Sequence, residues 1–186
     1  MLRLLVVYGT TDGHTAKVAR FLADEFRAKG GLVDVCDSDT ENPDPRDYVG
    51  VVVAASLHGG RYQHGVARWV RSHAAALRGK PTAFLSVCLA VLETDPAVEH
   101  ELEAIQQHFF AQTGWTPPWV KRVAGALLYT QYGWFKRMVM RRLVAKAGGS
   151  TDLSRDHVYT DWEALRVFVN AFFATCRLLQ NQQPAA

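Results

Sequence analysis

A loop rich in hydroxyl groups follows the first apolar run of the chain, and its residue types could bind an anion. It consists of Gly9-Thr10-Thr11-Asp12-Gly13-His14-Thr15, and a helical pattern begins at its end. Threonine hydroxyls and the unpaired backbone N–H groups of a helix N-terminus can hold a phosphate monoester without any Lys or Arg. The alternative is that Thr10 and Thr15 only cap the helix and shape the turn.

Common phosphate-binding motifs do not match this loop. No Lys-Ser/Thr pair follows its second glycine, as a Walker P-loop requires, and the middle glycine of a dinucleotide GxGxxG motif is missing. A receiver domain is disfavoured because no pair of aspartates follows the first strand. Ala55-Ser56 also stands where a receiver domain would have its phosphoacceptor aspartate. The hydroxyl-rich loop therefore resembles the phosphate loop of flavodoxins, which holds the phosphate of FMN.

Two further segments could contact a flat aromatic ligand such as the isoalloxazine ring of a flavin. Ser56-Leu57-His58-Gly59-Gly60-Arg61-Tyr62 combines apolar, aromatic and glycine residues, between which a ring could slide. Ser86-Val87-Cys88-Leu89-Ala90 offers backbone groups to the pyrimidine edge of the ring. Tyr62 has an equally good alternative as an aromatic side chain packed within its loop. His58 and His64 are candidate proton acceptors, since imidazole titrates near neutral pH.

Alternating strands and helices position these loops. The hydrophobic pattern predicts strands over residues 2–8, 32–36, 48–56, 81–89 and 120–128, and helices over residues 14–29, 63–77, 96–112 and 161–179. This alternation is typical of the α/β class, in which a parallel sheet has helices on both faces. Five strands suit the flavodoxin-like doubly wound order 2-1-3-4-5, in which ligands bind at the carboxyl ends of the strands.

The chain of 186 residues has the length of one domain, which we predict to span residues 1–179 before a frayed tail at residues 180–186. A long insertion at about residues 129–156 separates the fifth strand from the last helix, and connections of that length are usually functional or disordered. No run approaches the roughly 18 apolar residues of a membrane-spanning helix. Cys36, Cys88 and Cys176 lie far apart, which indicates free thiols in a cytosolic protein and no metal site.

The charge of the chain is unevenly distributed. Residues 104–151 contain no Asp or Glu but seven Lys and Arg, so the remaining residues carry −4 although the whole chain carries +3. Five of those basic residues lie between Lys136 and Lys146, among Trp134 and other apolar side chains. Their spacing does not separate charged and apolar faces as an amphipathic membrane-surface helix does. Three interpretations of this basic segment remain open. Its basic side chains could snorkel at a membrane, the segment could form a flap over a substrate, or it could pack on the sheet with its charges solvated.

Several motifs together resemble the menaquinone-dependent protoporphyrinogen IX dehydrogenase family, whose members have the flavodoxin fold. The resemblance covers nearly the whole chain and includes the Thr-x-Asp-Gly-x-Thr loop and the segment from Ala55-Ser56 to Tyr62. Its most specific part is C-terminal: Ala124-Gly125-Ala126-Leu127-Leu128-Tyr129, Tyr132-Gly133-Trp134-Phe135-Lys136-Arg137-Met138, Gly148-Gly149-Ser150-Thr151-Asp152 and Tyr159-Thr160-Asp161-Trp162-Glu163. An ordinary flavodoxin would not share that block.

This resemblance implies FMN-dependent oxidation of protoporphyrinogen IX to protoporphyrin IX, with electrons passed to a membrane quinone. The loop from Thr10 to Thr15 would then lie at the FMN phosphate, and the segments 56–62 and 86–90 around the flavin ring. It also implies a cytoplasmic protein that is peripherally bound to the inner face of the cell membrane. Lys136, Arg137, Arg141 and Arg142 would contact the substrate, an anionic membrane surface or both.

Other functions compete with this interpretation. The first is a flavodoxin-type electron carrier, although such carriers are usually strongly acidic and the acid-free segment argues against one. The second is a flavoprotein quinone reductase that is fed by a nicotinamide cofactor. Nucleic-acid binding is disfavoured by the acidic remainder of the chain. The sequence does not decide between menaquinone and ubiquinone, nor whether the chain forms an oligomer.

Overall fold

A five-stranded parallel sheet forms the centre of the computed structural model, which describes residues 1–127 and 157–182. Its strands are β1 (Arg3–Gly9), β2 (Leu32–Asp37), β3 (Gly50–Ser56), β4 (Thr82–Cys88) and β5 (Trp119–Ala124). The helices are α1 (His14–Ala28), α2 (His64–Leu77), α3 (Pro96–Thr113) and α4 (Trp162–Gln182). The hydrogen-bonded order is β2-β1-β3-β4-β5, with every pair parallel. The predicted α/β class and strand order are confirmed.

Helices cover both faces of the sheet, and this explains the continuous apolar runs of the strands. Side chains of β3 alternate between the two layers: Val52 packs with α1 and α4, whereas Val51 and Val53 pack with α2 and α3. Phe26 of α1 and Phe172 of α4 are fully buried in the first layer, with ring centroids 6.0 Å apart. The sheet is therefore a rigid base that holds the loops at its carboxyl edge.

The fifth strand is shorter than the sequence pattern predicts. β5 ends at Ala124, and Ala126–Leu127 forms a separate strand, β6, which pairs antiparallel with β7 (His157–Val158). Gly125 lies at the break: its N–H donates to the Cys88 carbonyl (3.1 Å), and its own carbonyl accepts from the N–H of Tyr159 (3.1 Å). The prediction of one strand over residues 120–128 was wrong, because the sequence of that segment does not reveal a change of pairing partner.

The last helix also differs from its predicted bounds. Asp161 is its cap, since the carboxylate accepts the Ala164 N–H at 2.9 Å, and the helix continues to Gln182. The predicted frayed tail from residue 180 was therefore wrong for residues 180–182. The insertion at residues 129–156, with Lys136, Arg137, Arg141 and Arg142, lies outside the described residues. No helix in the described parts of the chain is long and apolar enough to cross a bilayer.

Candidate functional site

The carboxyl ends of the central strands open into a cleft of about 310 Å³. Thirteen of the 16 cofactor-binding residues that the sequence predicts line it, so the three loops converge as expected. These 13 residues are Thr10, Thr11, Asp12, His14, Thr15, Ser56, Leu57, His58, Gly59, Val87, Cys88, Leu89 and Ala90. The remaining three, Gly13, Tyr62 and Ser86, are not among the residues that line it.

No side chain among the described residues caps the N-terminus of α1, which lies at one end of the cleft. Gly13 precedes the helix with φ +81°, a left-handed conformation that favours glycine, and its N–H donates to the Thr10 hydroxyl at 2.9 Å. Thr10 thereby shapes the turn instead of capping the helix. The N–H groups of the first helical turn carry a partial positive charge, and they remain available to an anion in the cleft.

Two buried polar atoms at this helix end have no hydrogen-bond partner among the described residues: the Thr15 hydroxyl and Nδ1 of His14. Thr15 is 1% exposed and His14 is 6% exposed. Leaving such groups unpaired costs about 1–3 kcal/mol each, and native structures rarely tolerate it. Because both residues line the cleft, the pattern fits a ligand that supplies the missing partners. This observation favours phosphate binding over the alternative that these residues only cap and shape the helix.

The hydrogen bonds of His14 define its tautomer. The Thr160 hydroxyl donates to the Ala124 carbonyl at 2.7 Å, so Thr160 accepts the N–H of His14 Nε2, also at 2.7 Å. Nδ1 therefore carries a lone pair in the neutral ring. Burial, and to a smaller extent the charge of Lys17, lowers the pKa of His14. The imidazole at the anion site is consequently neutral near pH 7, and its Nδ1 can accept a hydrogen bond there.

A two-residue turn forms the opposite wall of the cleft. His58 and Arg61 exchange backbone hydrogen bonds of 3.0 and 3.2 Å, and Gly59 and Gly60 between them have φ of +57° and +74°. Positive φ at both central positions is the requirement of a type I′ hairpin turn, and glycine meets it without strain. The wall is therefore thin and presents backbone atoms, which permits close approach of a flat ring.

A glutamine connects the first two loops at the base of the cleft. The Gln63 side-chain amide donates to the hydroxyls of Ser56 and Thr11, the latter at 3.0 Å. Ser56 and Thr11 are themselves 3.4 Å apart. Gln63 was not among the predicted site residues, because its position just before a helix gives no sign of this contact.

Cys88 lies at the end of β4 in the lining of the cleft and is 7% exposed. Burial raises the pKa of its thiol, so the residue is neutral at physiological pH. A neutral, poorly accessible thiol is a weak nucleophile. Cys88 is therefore part of the apolar lining and gives no indication of covalent chemistry.

Tyr62 packs behind the cleft. Its hydroxyl donates to Ser86 at 2.9 Å, and its ring contacts Phe84 and Phe109 edge-on at centroid distances of 5.1 and 4.9 Å. Burial raises the pKa of Tyr62 to about 12. The structure thus gives Tyr62 the packing role that was the alternative interpretation, and Ser86 is its hydrogen-bond partner.

One wall of the cleft was not predicted from the sequence. Val98, Glu101, Leu102 and Ile105 of α3 line it. Their spacing of i, i+3, i+4 and i+7 places them on one face of the helix, which is a signal that could have been found. Gly125 and the first residue of β6, Ala126, also line the cleft. The described residues that precede the insertion therefore lie at the cleft.

Comparison with known proteins identifies the family. A profile described as a flavodoxin domain (Flavodoxin_5) matches residues 5–154. The protoporphyrinogen IX dehydrogenase (quinone) of Leishmania major is 34% identical over 176 residues, which cover 92% of this chain and 75% of that protein. The protein of the same name from Escherichia coli K12 is 32% identical over 168 residues, with coverages of 90% and 92%. The chain belongs to the flavodoxin-domain family of protoporphyrinogen IX dehydrogenases.

Solved flavodoxin structures share the fold of this protoporphyrinogen IX dehydrogenase family member. A flavodoxin from the domain Archaea has a TM-score of 0.56 and 13% identity, and the match covers 95% of this chain and 99% of that one. Oxidised flavodoxin 1 from Bacillus cereus has a TM-score of 0.54 and 15% identity, with coverages of 92% and 97%. The similarity extends over both chains, so the cleft belongs to a complete flavodoxin-like domain.

Proposed function

We propose that this chain oxidises protoporphyrinogen IX to protoporphyrin IX in haem biosynthesis, with FMN as its cofactor and a quinone as electron acceptor. The observation that carries the proposal is the shared name of relatives that are 32–34% identical over 90–92% of the chain. The flavodoxin domain and the cleft at its carboxyl edge support FMN as the cofactor.

The phosphate of FMN fits at the N-terminus of α1. The uncapped first turn offers backbone N–H groups, and the unpartnered Thr15 hydroxyl can donate a further hydrogen bond. His14 Nδ1, which carries the lone pair of the neutral ring, can accept a hydrogen bond from a monoprotonated phosphate. This arrangement binds the phosphate through dipoles and hydrogen bonds, without a fixed positive charge.

The flavin ring fits between the Gly59-Gly60 turn and the 3₁₀ turn at Leu89–Leu92, with the apolar face of α3 as a third wall. The glycine turn allows the backbone to approach the ring closely. Leu89 and Ala90 present backbone groups at the other side. Val98, Leu102 and Ile105 exclude water from the ring, which protects a reactive cofactor from solvent.

Bound FMN supplies the two-electron redox chemistry, while the protein provides binding, orientation and electrostatics. Conversion of one protoporphyrinogen to protoporphyrin removes six electrons and six protons, which reduce three quinones to three quinols. Three rounds of oxidation are therefore required for each substrate. Of the two histidines that the sequence offers as proton acceptors, His58 lines the cleft and His64 does not.

Association with the cytoplasmic membrane face is the second part of the proposal, because the quinone is dissolved in the bilayer. The support is the charge distribution: the acid-free segment 104–151 carries seven basic residues. Gly125 and Ala126, which precede the insertion in the chain, line the cleft. A cationic segment at this position would hold the cofactor site against an anionic lipid surface.

An anaerobic turnover assay tests the proposed function. The purified protein is loaded with FMN, mixed with protoporphyrinogen IX and a soluble quinone, and followed by porphyrin fluorescence. We expect porphyrin to form only when both FMN and the quinone are present, with three quinones consumed for each porphyrin.

Two results would contradict this function. FMN binding without porphyrin formation would leave the electron carrier as the better interpretation. Rapid quinone reduction by a nicotinamide cofactor, again without porphyrin formation, would favour the quinone reductase.

A further inference from the structure

A second concave surface lies between α2 and α3 and adjoins the cofactor cleft. We call it the α2–α3 groove; it has a volume of about 910 Å³ and shares Gly60 and Ile105 with the cleft. A molecule in the groove would therefore lie against the wall of the cofactor cleft to which Gly60 and Ile105 contribute. Of the residues that the sequence analysis singles out individually, only Tyr62 and His64 line this surface.

The rim of the groove is cationic. Its described lining includes five basic side chains and no Asp or Glu; the five are Arg61, His64, Arg68, Arg71 and His108. His64, Arg68 and Arg71 follow the spacing i, i+4 and i+7, so one face of α2 carries them. The guanidinium groups of Arg61 and Arg68 form no ion pair or side-chain hydrogen bond with another described residue. These two charges are exposed and free to bind an anion.

The floor of the groove is apolar. Tyr62, Ile105 and Phe109 line it, and Phe109 is 5% exposed. Ala67 on α2 and Ala104 on α3 also line the groove, and their small side chains leave the space open. An apolar floor with a cationic rim suits a ligand that has a large hydrophobic body and carboxylates at its edge.

We infer that the α2–α3 groove is a substrate-binding site that holds the carboxylates of a tetrapyrrole, with Arg61 and Arg68 as the specificity-determining residues. This inference rests on the proposed function, because protoporphyrinogen is an apolar macrocycle with two propionates. Its macrocycle would cover Ile105 at the boundary of the two cavities and so approach the flavin. A concave site with a buried aromatic floor fits such a ligand better than it fits a flat membrane surface.

Esterification of the substrate provides the test. Turnover and binding are compared for protoporphyrinogen IX and its dimethyl ester, with the wild type and with the double variant Arg61→Gln/Arg68→Gln. We expect the wild type to prefer the free acid by about tenfold or more in kcat/KM, because charge-assisted hydrogen bonds to carboxylates are lost in the ester. The double variant should have similar kcat/KM values for the free acid and the ester. Its Kd for FMN should be unchanged.

A matched control and a second variant sharpen the result. Arg20→Gln/Arg177→Gln changes the net charge equally on the exposed surfaces of α1 and α4, and it should retain the preference for the free acid. Ala104→Phe keeps every charge but fills the groove, so it should weaken the binding of both the free acid and the ester. The inference would be overturned if the arginine double variant lost kcat/KM equally for the free acid and the ester, or if it lost none.

Binding measurements separate failure of the inference from failure of the proposed function. Absence of porphyrin formation by the FMN-loaded wild type would refute the proposed function. Titration of protoporphyrin IX, followed by its fluorescence, still tests the groove in that case: about tenfold weaker binding by the arginine variant supports it, and equal binding overturns it. Loss of binding to anionic phospholipid vesicles with unchanged porphyrin binding would also overturn it, in favour of a lipid site.

Discussion

Thr15 is a residue at which folding and cofactor binding make opposite demands. Its hydroxyl is buried and lacks a partner among the described residues, so it destabilises the protein without FMN while providing a hydrogen bond for the phosphate. Thr15→Val removes the hydroxyl with little change of shape. We expect the apoprotein to become about 1 kcal/mol more stable and the affinity for FMN to fall about tenfold. Urea unfolding and flavin fluorescence titration measure the two effects.

Thr113→Val is the matched control for this prediction. Thr113 is equally buried, but its hydroxyl donates to the Phe109 carbonyl of the same helix at 2.9 Å and lies outside the cleft. The control should leave FMN affinity unchanged and should not stabilise the apoprotein. Loss of stability in Thr15→Val together with unchanged FMN affinity would show that the hydroxyl has a structural role only.

His14 makes the stability of the apoprotein depend on pH. Burial lowers the pKa of His14 in the folded state, so the unfolded chain binds its proton at a higher pH, near 6.5. The stability that results is fully present above about pH 6.5 and is lost as the pH falls towards the folded-state pKa. We expect the difference in unfolding free energy between wild type and His14→Gln to shrink from pH 8 to pH 5.5. A difference that stays constant would contradict this, and exposed His100→Gln serves as control.

At the scale of elements, Thr160 joins the phosphate loop to the segment that returns from the insertion. Thr160 precedes α4, yet it bonds both to His14 at the start of α1 and to the carbonyl at the end of β5. Thr160→Val would leave the buried Nε2–H of His14 and the part-buried Ala124 carbonyl without this partner. We expect the unfolding free energy to fall by about 2 kcal/mol and FMN to bind more weakly, because the imidazole loses its orientation.

Thr175→Val is the comparison for this change. Thr175 lies on α4 as well, but its hydroxyl bonds only to the Ala171 carbonyl within the exposed part of the helix. Its substitution should change stability by less than about 0.5 kcal/mol and leave FMN affinity intact. A Thr160→Val protein with unchanged FMN affinity would show that the link does not reach the cofactor site.

The central strands could be predicted from their continuous apolar runs and the helices from their hydrophobic period, and the parallel order follows from their alternation. The converging loops followed from that order, since carboxyl ends of neighbouring parallel strands meet at one edge. The break at Gly125 could not be predicted, because β6 pairs with residues 30 positions away in the chain. Tyr62 was ambiguous for a similar reason: its partners Phe84 and Phe109 belong to other elements, and only the tertiary structure brings them together.

At the scale of the whole molecule, some basic side chains are paired with carboxylates and others form cationic surfaces. Arg122 on β5 forms an ion pair with Glu99 of α3, so it is partly neutralised. The α2–α3 groove carries arginines that belong to the nominally acidic remainder of the chain. The net charge of each sequence segment therefore did not reveal the cationic rim of this groove. The rim is assembled from residues around 61–71 and 108, which lie in different segments of the chain.

The basic residues of the insertion act, in our proposal, on the position of the molecule at the membrane and not on cofactor binding. Replacing Lys136, Arg137, Arg141 and Arg142 by Gln should leave the Kd for FMN unchanged. Binding to vesicles with anionic phospholipid should weaken at least 100-fold at low salt, since each basic residue near such a surface contributes about 1 kcal/mol. Vesicle sedimentation at increasing salt measures this loss and its salt dependence.

Equal charge removal from the body of the domain distinguishes a local membrane contact from a general effect of net charge. Arg20, Lys29, Arg78 and Arg177 are exposed on described helices or their ends, and their replacement by Gln changes the net charge by the same amount. If the insertion is the contact, this control should weaken vesicle binding far less than the first variant does. Equal weakening by both would mean that the field of the whole molecule attracts the membrane, because a non-local attraction depends on total charge and not on its place in the fold.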